Sequence, residues 1–411
     1  RYAADGTAVD ATEFLVNSTT DGDQKMPTAA VARDNGNFVI AWEGDVAAAE
    51  ESVEVHARIY DSAGATIRDE FQVNTVVPRD QVTPDVAMDA DGDFIVAWTT
   101  EGQPGSGSDV QAQLFDETGA TVGGEFRVNE TTLQGQVNPS VGMDQDGDIL
   151  VSWQSSHQDG FSWGIFGRAY DSVGAPLTTE FQVNTFAEQP QTNPGVGVNS
   201  EGNAVVIWQG LDDTHTPAVH AQRYQLPKTG VDFGAVGGEV LLSNYVELES
   251  ASASAAVDAD RNFVVVWQSY GDDESGLGIV GRRFDSVGAP LGDAFVINST
   301  TVGNQSNPSV AMDAAGNFTV AWESADQDGD GHGIYAQRFD AAGNAVGSEF
   351  QVNSVATGNQ EQPAIAMDSS NGSFVVVWQG PDGSDRGIFG QRYDASGNAV
   401  GSEFAVNSFT D

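Results

Sequence analysis

Residues 308–322 read PSVAMDAAGNFTVAW, and residues 333–353 read GIYAQRFDAAGNAVGSEFQVN. Both stretches consist of short apolar runs rich in Val, Phe, Trp and Tyr, separated by Gly, Asn and Asp. Such runs are typical of β-strands joined by tight turns. Neither stretch has apolar residues at helical spacing. The segment therefore predicts four antiparallel strands, at 309–313, 318–322, 333–340 and 350–353.

The same four-strand unit recurs through the whole chain of 411 residues. A Trp closes the second strand of every unit, at steps of 55–59 residues. These are Trp42, Trp98, Trp153, Trp208, Trp267, Trp322 and Trp378. Seven four-stranded units predict an all-β fold, a single seven-bladed β-propeller over residues 1–411 with the Trp series in its core. The alternative, a β-solenoid, usually has shorter repeats.

The order of the strands and the closure of the ring follow from the turns and the chain ends. We expect the first strand of each unit to be innermost and the Phe-x-Val-Asn strand outermost. The crossovers between blades and the acidic loops after each Trp then share one rim, the crossover rim, and the tight turns form the turn rim. Residues 1–17 align with 392–407, so the chain starts inside a repeat, as a piece of a longer protein would. We expect strand 14–17 to close the ring in blade seven, with strand 404–407 competing for that place or left over.

Composition excludes several classes of function. Sixteen Lys and Arg against 60 Asp and Glu give a net charge of −44, which disfavours nucleic acid and anionic membranes as partners. Cysteine is absent, so disulfides, thiolate metal sites and cysteine nucleophiles are excluded. The longest apolar runs are too short to span a bilayer, so we expect no membrane insertion. No HExxH motif, phosphate loop or Ser/His/Asp signature occurs.

The repeat resembles a known type of bacterial sequence. Its consensus runs Phe-Gln-Val-Asn, then Gln-x-x-Pro-x-Val-Ala-Met-Asp-x-x-Gly-Asn-Phe-Val-Val-Ala-Trp, then Gly-Ile-x-Ala-Gln-Arg-Phe-Asp. It is similar to propeller-type repeats of large secreted and surface proteins of bacteria, often beside adhesion modules, for which no active-site motif is assigned. Its Asp-rich loops resemble the calcium loops of integrin-type propellers in having closely spaced Asp residues. The flanking Phe-Gly and Gly-Ala-Pro sequences of those propellers are not reproduced. The resemblance implies an extracellular or cell-surface location.

The clearest metal signal is the blade-six loop Asp326-Gln-Asp328-Gly-Asp330-Gly-His332. Carboxylates at positions 1, 3 and 5 of a curled loop can converge on one hard cation, and glycine permits the turn. The loop matches the first half of an EF-hand but lacks the bidentate Glu at position 12. We predict calcium as the cofactor here, with a solvated acidic loop as the alternative.

Two hairpin turns on the turn rim have the same spacing of acids. These are Asp89, Asp91 and Asp93 in blade two and Asp144, Asp146 and Asp148 in blade three. Other blades replace the acids and keep only an Asx residue and a Gly, so the pattern favours a turn in which the side chain bonds nearby backbone. Calcium at the two fully acidic copies stays open.

Repeated amides are interpreted structurally as well. A Gln stands three residues before the crossover proline in six units, namely Gln24, Gln81, Gln136, Gln191, Gln305 and Gln360. We expect these side chains to pair with crossover backbone groups that would otherwise be buried without partners. The alternative is that these Gln side chains bind a polar ligand on one rim of the ring. The Asn residues ending the outer strands are expected to cap turns.

Residues that break the repeat are the better ligand candidates. Trp163 is the one Trp outside the series and lies with Phe161 in His157-Gln-Asp-Gly-Phe161-Ser-Trp163. An exposed aromatic pair beside acids and amides suits stacking of sugar rings, with packing inside the loop as the alternative. Tyr270 lies in or beside the equivalent loop of blade five, so the candidate ligand-binding residues are His157, Phe161, Trp163 and Tyr270.

Three functions remain open on the sequence. The first is an extracellular binding or structural module for adhesion or scaffolding, with a polysaccharide or a surface protein as partner. The second is carbohydrate binding through rim loops. The third is a polysaccharide-cleaving enzyme, which requires a cleft where His157, His215 or His220 meets Tyr270 or an Arg. Self-association through unpaired terminal strands is a further expectation.

Overall fold

The computed structural model describes Val16 and residues 24–45, 52–75, 79–103, 107–186, 189–211, 217–227, 233–242, 253–273, 275–286, 288–368, 371–381 and 386–405. In these ranges every regular element is a β-strand, and none forms a helix capable of crossing a bilayer. The strands form seven antiparallel sheets, each of four strands consecutive in the chain. The predicted seven-bladed β-propeller and its strand order are confirmed.

The blades fall into two compact units. The first unit comprises Phe14–His215 and His220–Val240. Blade one has β1 (Gln24–Val31), β2 (Phe38–Asp45), β3 (Val53–Tyr60) and β4 (Thr66–Gln72). Blade two has β5 (Gln81–Met88), β6 (Phe94–Gln103), β7 (Gly107–Phe115) and β8 (Thr121–Arg127). Blade three has β9 (Gln136–Met143), β10 (Ile149–Ser156), β11 (Trp163–Tyr170) and β12 (Phe181–Gln182). Blade four has β13 (Thr192–Val198), β14 (Asn203–Leu211), β15 (Pro217–Gln225) and β16 (Gly234–Leu241).

The second unit comprises Leu241–Asp411 together with Thr216–Val219. Blade five has β17 (Ala253–Val257), β18 (Phe263–Tyr270), β19 (Leu277–Phe284) and β20 (Phe295–Val296). Blade six has β21 (Gln305–Met312), β22 (Phe318–Ala325), β23 (His332–Phe339) and β24 (Ala345–Gln351). Blade seven has β25 (Glu361–Met367), β26 (Phe374–Pro381), β27 (Arg386–Tyr393) and β28 (Ala399–Ala405).

The core lies between neighbouring blades, where the Trp series is buried as predicted. Trp98 of blade two packs with Val39 and Val55 of blade one, and Trp322 of blade six packs with Val264 of blade five. All seven Trp residues of the series are at most 4% exposed. Burial of such large side chains between neighbouring repeats is a main source of stability for stacked repeats.

The inner strands are longer than predicted because a bulge carries them through a proline. In blade six the register shifts between Ser306 and Ser309, and Asn307 before Pro308 takes a left-handed conformation with φ of 51°. Proline has no N–H to give to the sheet, so a bulge is where a strand tolerates it. The strand therefore begins at Gln305, four residues before the predicted start.

The Gly-Ala-Pro triplets shorten the outer strands of two blades. Gly174 has φ of 80° in a turn, and Pro176 makes an isolated bridge to Tyr170. Phe284 and Pro290 repeat this bridge in blade five. Strands β12 and β20 consequently have two residues each, whereas β8, β24 and β28 have seven.

The two candidates for the closing strand have different outcomes. Strand β28, at the C-terminal end, takes the outer position of blade seven and pairs with β27, to which a short turn joins it. Pairing with a strand that is close in the chain has a lower entropic cost of loop closure than pairing with a distant one. The predicted pairing of strand 14–17 lies outside the described residues except for Val16. The Val16 carbonyl accepts a 3.0 Å hydrogen bond from Arg58 in blade one, as Val128 at the end of blade two accepts from Arg168 in blade three at 3.2 Å.

Candidate functional site

Most of the repeated Gln side chains hold the crossovers, as predicted, and four of the six accept the indole N–H of a core Trp. Gln81 Oε1 accepts the indole N–H of Trp98 at 2.8 Å, and its amide donates to the Arg79 carbonyl at 3.0 Å. Gln136 and Trp153 repeat the first contact at 3.0 Å. These amides are therefore used inside the blade, and the structural interpretation is confirmed.

The Asn residues that end the outer strands bind the carboxylates of the acidic loops. Asn353 Oδ1 accepts the Ile334 N–H at 2.8 Å, and its amide donates to the Val355 carbonyl at 3.0 Å and to Asp328 Oδ2 at 3.2 Å. Asn298 binds Asp273 of blade five in the same way, at 2.9 Å. The expected capping role of Asn is confirmed. In each of these loops the Asn side chain also donates a hydrogen bond to one Asp.

The predicted calcium loop of blade six is held by its own hydrogen bonds. The Asp326 N–H donates to the Gly331 carbonyl at 2.5 Å, which closes the loop. Asp328 is engaged by Asn353, and Asp330 Oδ2 accepts the Gly358 N–H at 3.1 Å. In the described part of the chain no three His, Asp or Glu side chains are grouped closely enough to hold a metal. The three carboxylates thus lie in one loop but do not converge.

Blade three contains the same loop with a different set of side chains. His157 has the same φ of 59° as Asp326, and its N–H donates to the Ser162 carbonyl at 2.5 Å. Gln158 bonds Glu180 of the outer strand, as Gln327 of blade six bonds its own outer-strand Glu. Of the three blade-six acids, only Asp328 has an acidic counterpart in blade three, Asp159. The loop conformation therefore does not depend on three carboxylates.

The acidic hairpin turns are Asx turns, as favoured from the sequence. Asp89 Oδ1 accepts the N–H groups of Asp91, Gly92 and Asp93 at 2.9–3.0 Å, and burial raises the pKa of the Asp89 carboxyl. Asp144 accepts from Asp146 at 2.9 Å and from Asp148 at 3.1 Å. The non-acidic blade-four turn makes the same bonds through Asn199.

The two aromatic residues singled out from the sequence lie on the crossover rim of blade three. Phe161 is 47% exposed, and Trp163 at the start of β11 is partly exposed. The Trp163 carbonyl accepts the Gln191 N–H at 2.7 Å, which fixes the backbone at this point. The edge of the Trp163 indole lies over Gly135 of the preceding crossover, where a Cβ would stand 3.6 Å from the ring.

The other candidate residues from the sequence lie in different blades and differ in exposure. His157 is exposed in the same loop as Phe161 and Trp163, with Nδ1 2.7 Å from the Ser156 hydroxyl. Tyr270 is half exposed at the end of β18, in the second unit. His220 is buried, stacks on Trp208 with ring centroids 5.7 Å apart, and pairs with Glu239. His215 lies outside the described residues.

Sequence reasoning missed a set of contacts between blades. A Glu of the outer strand accepts the N–H and hydroxyl of the Ser or Thr that follows the outer strand of the preceding blade. Glu125 binds Thr75 in this way at 2.6 Å, and Glu239 binds Thr185 at 2.5–2.6 Å. The pair Glu349 and Ser299 repeats it in the second unit at 2.5–3.0 Å. The recurrence of Glu just before the outer-strand Phe was the available signal.

Comparisons with known proteins identify the fold alone. No family model matches the chain, and no curated protein matches its sequence. Among solved structures it is similar to the polysaccharide lyase Uly1, at TM-score 0.52 and 9% identity over 96% of this chain and 92% of that one. The β-propeller domain of the Trilobed protease from Pyrococcus furiosus matches at TM-score 0.51 and 10% identity, over 96% and 98%. Prolyl oligopeptidase B from Galerina marginata matches at TM-score 0.51 and 11% identity, over 94% and 50%.

Proposed function

We propose that this propeller is an extracellular binding or structural module that holds its partner through loops of the crossover rim and does not transform it. One observation carries the proposal. The polar side chains that recur in the repeat are used in holding the blades together, whereas the exposed departures from the repeat in blade three are aromatic. Aromatic side chains on a rigid support suit binding and lack the acid and base that bond cleavage needs.

The test separates binding from catalysis in one experiment. The protein is incubated with neutral and uronate-containing polysaccharides, and reducing ends and the ultraviolet absorbance of unsaturated products are followed. In parallel, biotinylated protein is applied to arrays of glycans and surface proteins. We expect retention on an array and no product. Product formed in proportion to protein concentration would overturn the proposal in favour of an enzyme.

The arrangement of His220 supports the proposed non-catalytic function over the alternative of a lyase. A lyase needs a general base within reach of the substrate. His220 is 4% exposed and has Glu239 Oε1 2.8 Å from its Nδ1, so it faces the interior of blade four. The similarity to a polysaccharide lyase, at 9% identity, extends to the fold alone.

Calcium binding by the blade-six loop is proposed from the spacing of Asp326, Asp328 and Asp330. Two of these acids already accept hydrogen bonds, so a cation has to draw the carboxylates together against those contacts. Extracellular sites bind calcium at about 10⁻⁴–10⁻³ M. At tenfold excess over the dissociation constant, one site would add about 1.4 kcal/mol to the free energy of unfolding.

The calcium prediction is tested by melting the protein in calcium, in magnesium and in excess chelator. We expect the melting temperature to rise with calcium alone, and the rise to disappear in Asp326→Asn. Gln158→Ala in the corresponding loop of blade three is the matched control and should keep the calcium response. A melting temperature that is the same in all three solutions contradicts calcium binding.

A further inference from the structure

We propose that Trp163 and Phe161 form a binding site for the apolar face of a neutral sugar ring, at the junction of the blade-three loop and the crossover before it. This inference rests on the proposed binding function and names its ligand class. The site consists of the loop 157–163 and the crossover residues Leu133, Gln134 and Gly135. All of these residues lie in the first unit.

Two departures from the repeat occur together and touch each other. In three other crossovers, the residue just before the repeated Gln is Asp80, Asn304 or Asn359, and its side chain accepts an N–H at 3.0–3.2 Å. In the crossover to blade four that residue is Pro190. Blade three has Gly135 there, which leaves room for the indole of Trp163. A Cβ at position 135 would already be in van der Waals contact with the ring, so we expect a longer side chain such as Asn to press on it. The crossover is thus shaped to hold this Trp.

The backbone that carries the aromatic rings is held by hydrogen bonds from side chains of the same blade. The Phe161 N–H donates to Asp159 Oδ1 at 3.1 Å, and the Ser155 hydroxyl donates to Gln158 at 2.6 Å. Gln158 in turn donates to Glu180 of the outer strand. Because these bonds are all made within the chain, binding needs little further ordering of the loop, which favours affinity.

Apolar surface and unused hydrogen-bonding groups are both available at the site. Leu133 is 70% exposed and Phe161 is 47% exposed. His157, in the same loop, is exposed as well. Exposed apolar side chains beside free polar groups are typical of ligand sites.

Charge and ring geometry together select a neutral sugar. The C–H groups on one face of a pyranose are weakly positive and pack on the negative face of an aromatic ring, while the hydroxyls at the ring edge reach neighbouring polar groups. Gln134, Ser156 and His157 are such groups, since each lies at the edge of this loop. With a net charge of −44 the molecule repels anionic polymers such as uronates.

Trp163 also provides a direct probe of the site. The seven other Trp residues are at most 4% exposed, so fluorescence that acrylamide quenches comes mainly from Trp163. We expect the quenchable fraction to disappear in Trp163→Phe. Addition of a neutral oligosaccharide that binds, tested with cellohexaose, xylohexaose, mannohexaose and laminarihexaose, should protect the wild-type fluorescence from acrylamide.

Affinity is measured by electrophoresis in gels that contain hydroxyethylcellulose, arabinoxylan, galactomannan or laminarin, with alginate as the anionic comparison. We expect at least one neutral polymer to retard the protein, and Trp163→Ala to weaken the interaction about tenfold or more. Phe161→Ala and Gly135→Asn should each weaken it about threefold, the latter by moving the indole. His332→Ala, which changes the position of blade six that corresponds to Trp163, is the control and should bind like the wild type.

The outcomes separate this proposal from the proposed function. Retardation that Trp163→Ala and Gly135→Asn leave unchanged, in variants with the wild-type melting temperature, overturns the site while binding itself stands. Absence of retardation by all four neutral polymers overturns the sugar as ligand class. Stronger retardation by alginate than by any neutral polymer overturns the argument from charge. Product formation would instead overturn the non-catalytic function.

Discussion

At the scale of single residues, Glu239 shows how a buried carboxylate ties neighbouring blades together. It accepts the N–H and hydroxyl of Thr185, in the crossover from blade three, and pairs with His220 of its own blade at 2.8 Å. Burial raises the pKa of Glu239, but the hydrogen bonds from His220 and Thr185 outweigh this effect. The net result is a pKa below the ordinary value of 4.5, so folding favours the ionised form.

A lowered pKa in the folded state predicts how stability depends on pH. The contribution of Glu239 is present above pH 4.5 and is lost as the pH falls through the lower folded value. We expect Glu239→Gln to lower the free energy of unfolding by about 1.5–3 kcal/mol at pH 7, because charged hydrogen bonds are lost. The difference from the wild type should shrink below pH 4.5 in denaturant titrations.

The control for this prediction is Glu201→Gln, an exposed position of blade four, which should change stability by less than about 0.5 kcal/mol. If the wild type and Glu239→Gln lost stability in parallel from pH 7 to pH 3, the charge of the Glu239 carboxylate would contribute nothing to the stability of the fold.

Some residue-scale contacts followed from the sequence and others did not. The role of Gln81 at the crossover was predictable, because a buried backbone carbonyl needs a donor. Its second bond, to Trp98, was not, because it depends on the bulge that sets the register of β5 against β6. The bond from Thr75 to Glu125 joins residues 50 apart and becomes evident only when one repeat is placed beside the next.

At the scale of elements, the outer strands differ in how well they are paired. Strand β24 pairs with β23 at four positions, whereas β20 pairs with β19 at two. The sequence indicated turns at Gly-Ala-Pro but not the loss of pairing that follows, because the proline both lacks an N–H and diverts the chain from the strand.

This difference predicts faster local opening of the outer edge in blades three and five. We expect amides of 178–180 and 292–294 to exchange with solvent at least about tenfold faster than those of 121–122 and 345–346, since only the latter residues are paired with the neighbouring strand. Hydrogen exchange followed by mass spectrometry measures this. Strand β10, in the interior of blade three, is the slow reference in the same sample. Equal exchange in all four outer segments would contradict the assignment of short strands.

The loops after each Trp show the limit of sequence reasoning at this scale. The pattern from Asp326 to Asp330 suggested a loop shaped by a cation. The same backbone conformation occurs in blade three with Asp159 as the only acid at the three corresponding positions. What the two loops share is the Gln and Asp pair that bonds the outer strand. Hydrogen bonding within the blade, rather than charge, is sufficient to explain the conformation.

At the scale of the whole molecule, the repeat predicted the seven blades because a Trp that is buried in the structure recurs once in every blade, at steps of 55–59 residues. Which terminal strand takes the outer position of blade seven was less predictable, since strands 14–17 and 404–407 have equivalent sequences. Period and composition are the same for both, and only the short turn before β28 favours the strand at the C-terminal end. Net charge is the other property of the whole chain that the sequence gives directly.

The charge of −44 predicts that salt stabilises the protein. Like charges on the surface repel each other in the compact state, and the Debye length falls from about 8 Å at 0.15 M to about 3 Å at 1 M salt. Relief of a few kcal/mol of repulsion corresponds to a rise in melting temperature of roughly 5 °C in a protein of this size. Melting at pH 7 in 0.05–1 M sodium chloride, with chelator present to exclude calcium effects, measures the rise.

The same titration at pH 4.1 is the matched control, because the net charge is close to zero at the isoelectric point. Screening then has little repulsion to remove, and the melting temperature should change by less than about 2 °C. An equal rise at both pH values would mean that salt acts through its exclusion from the protein surface and not through charge. In that case repulsion among the acidic residues would not affect the free energy of unfolding. The main contribution of Asp and Glu to the structure would then be the hydrogen bonds that they accept within and between blades.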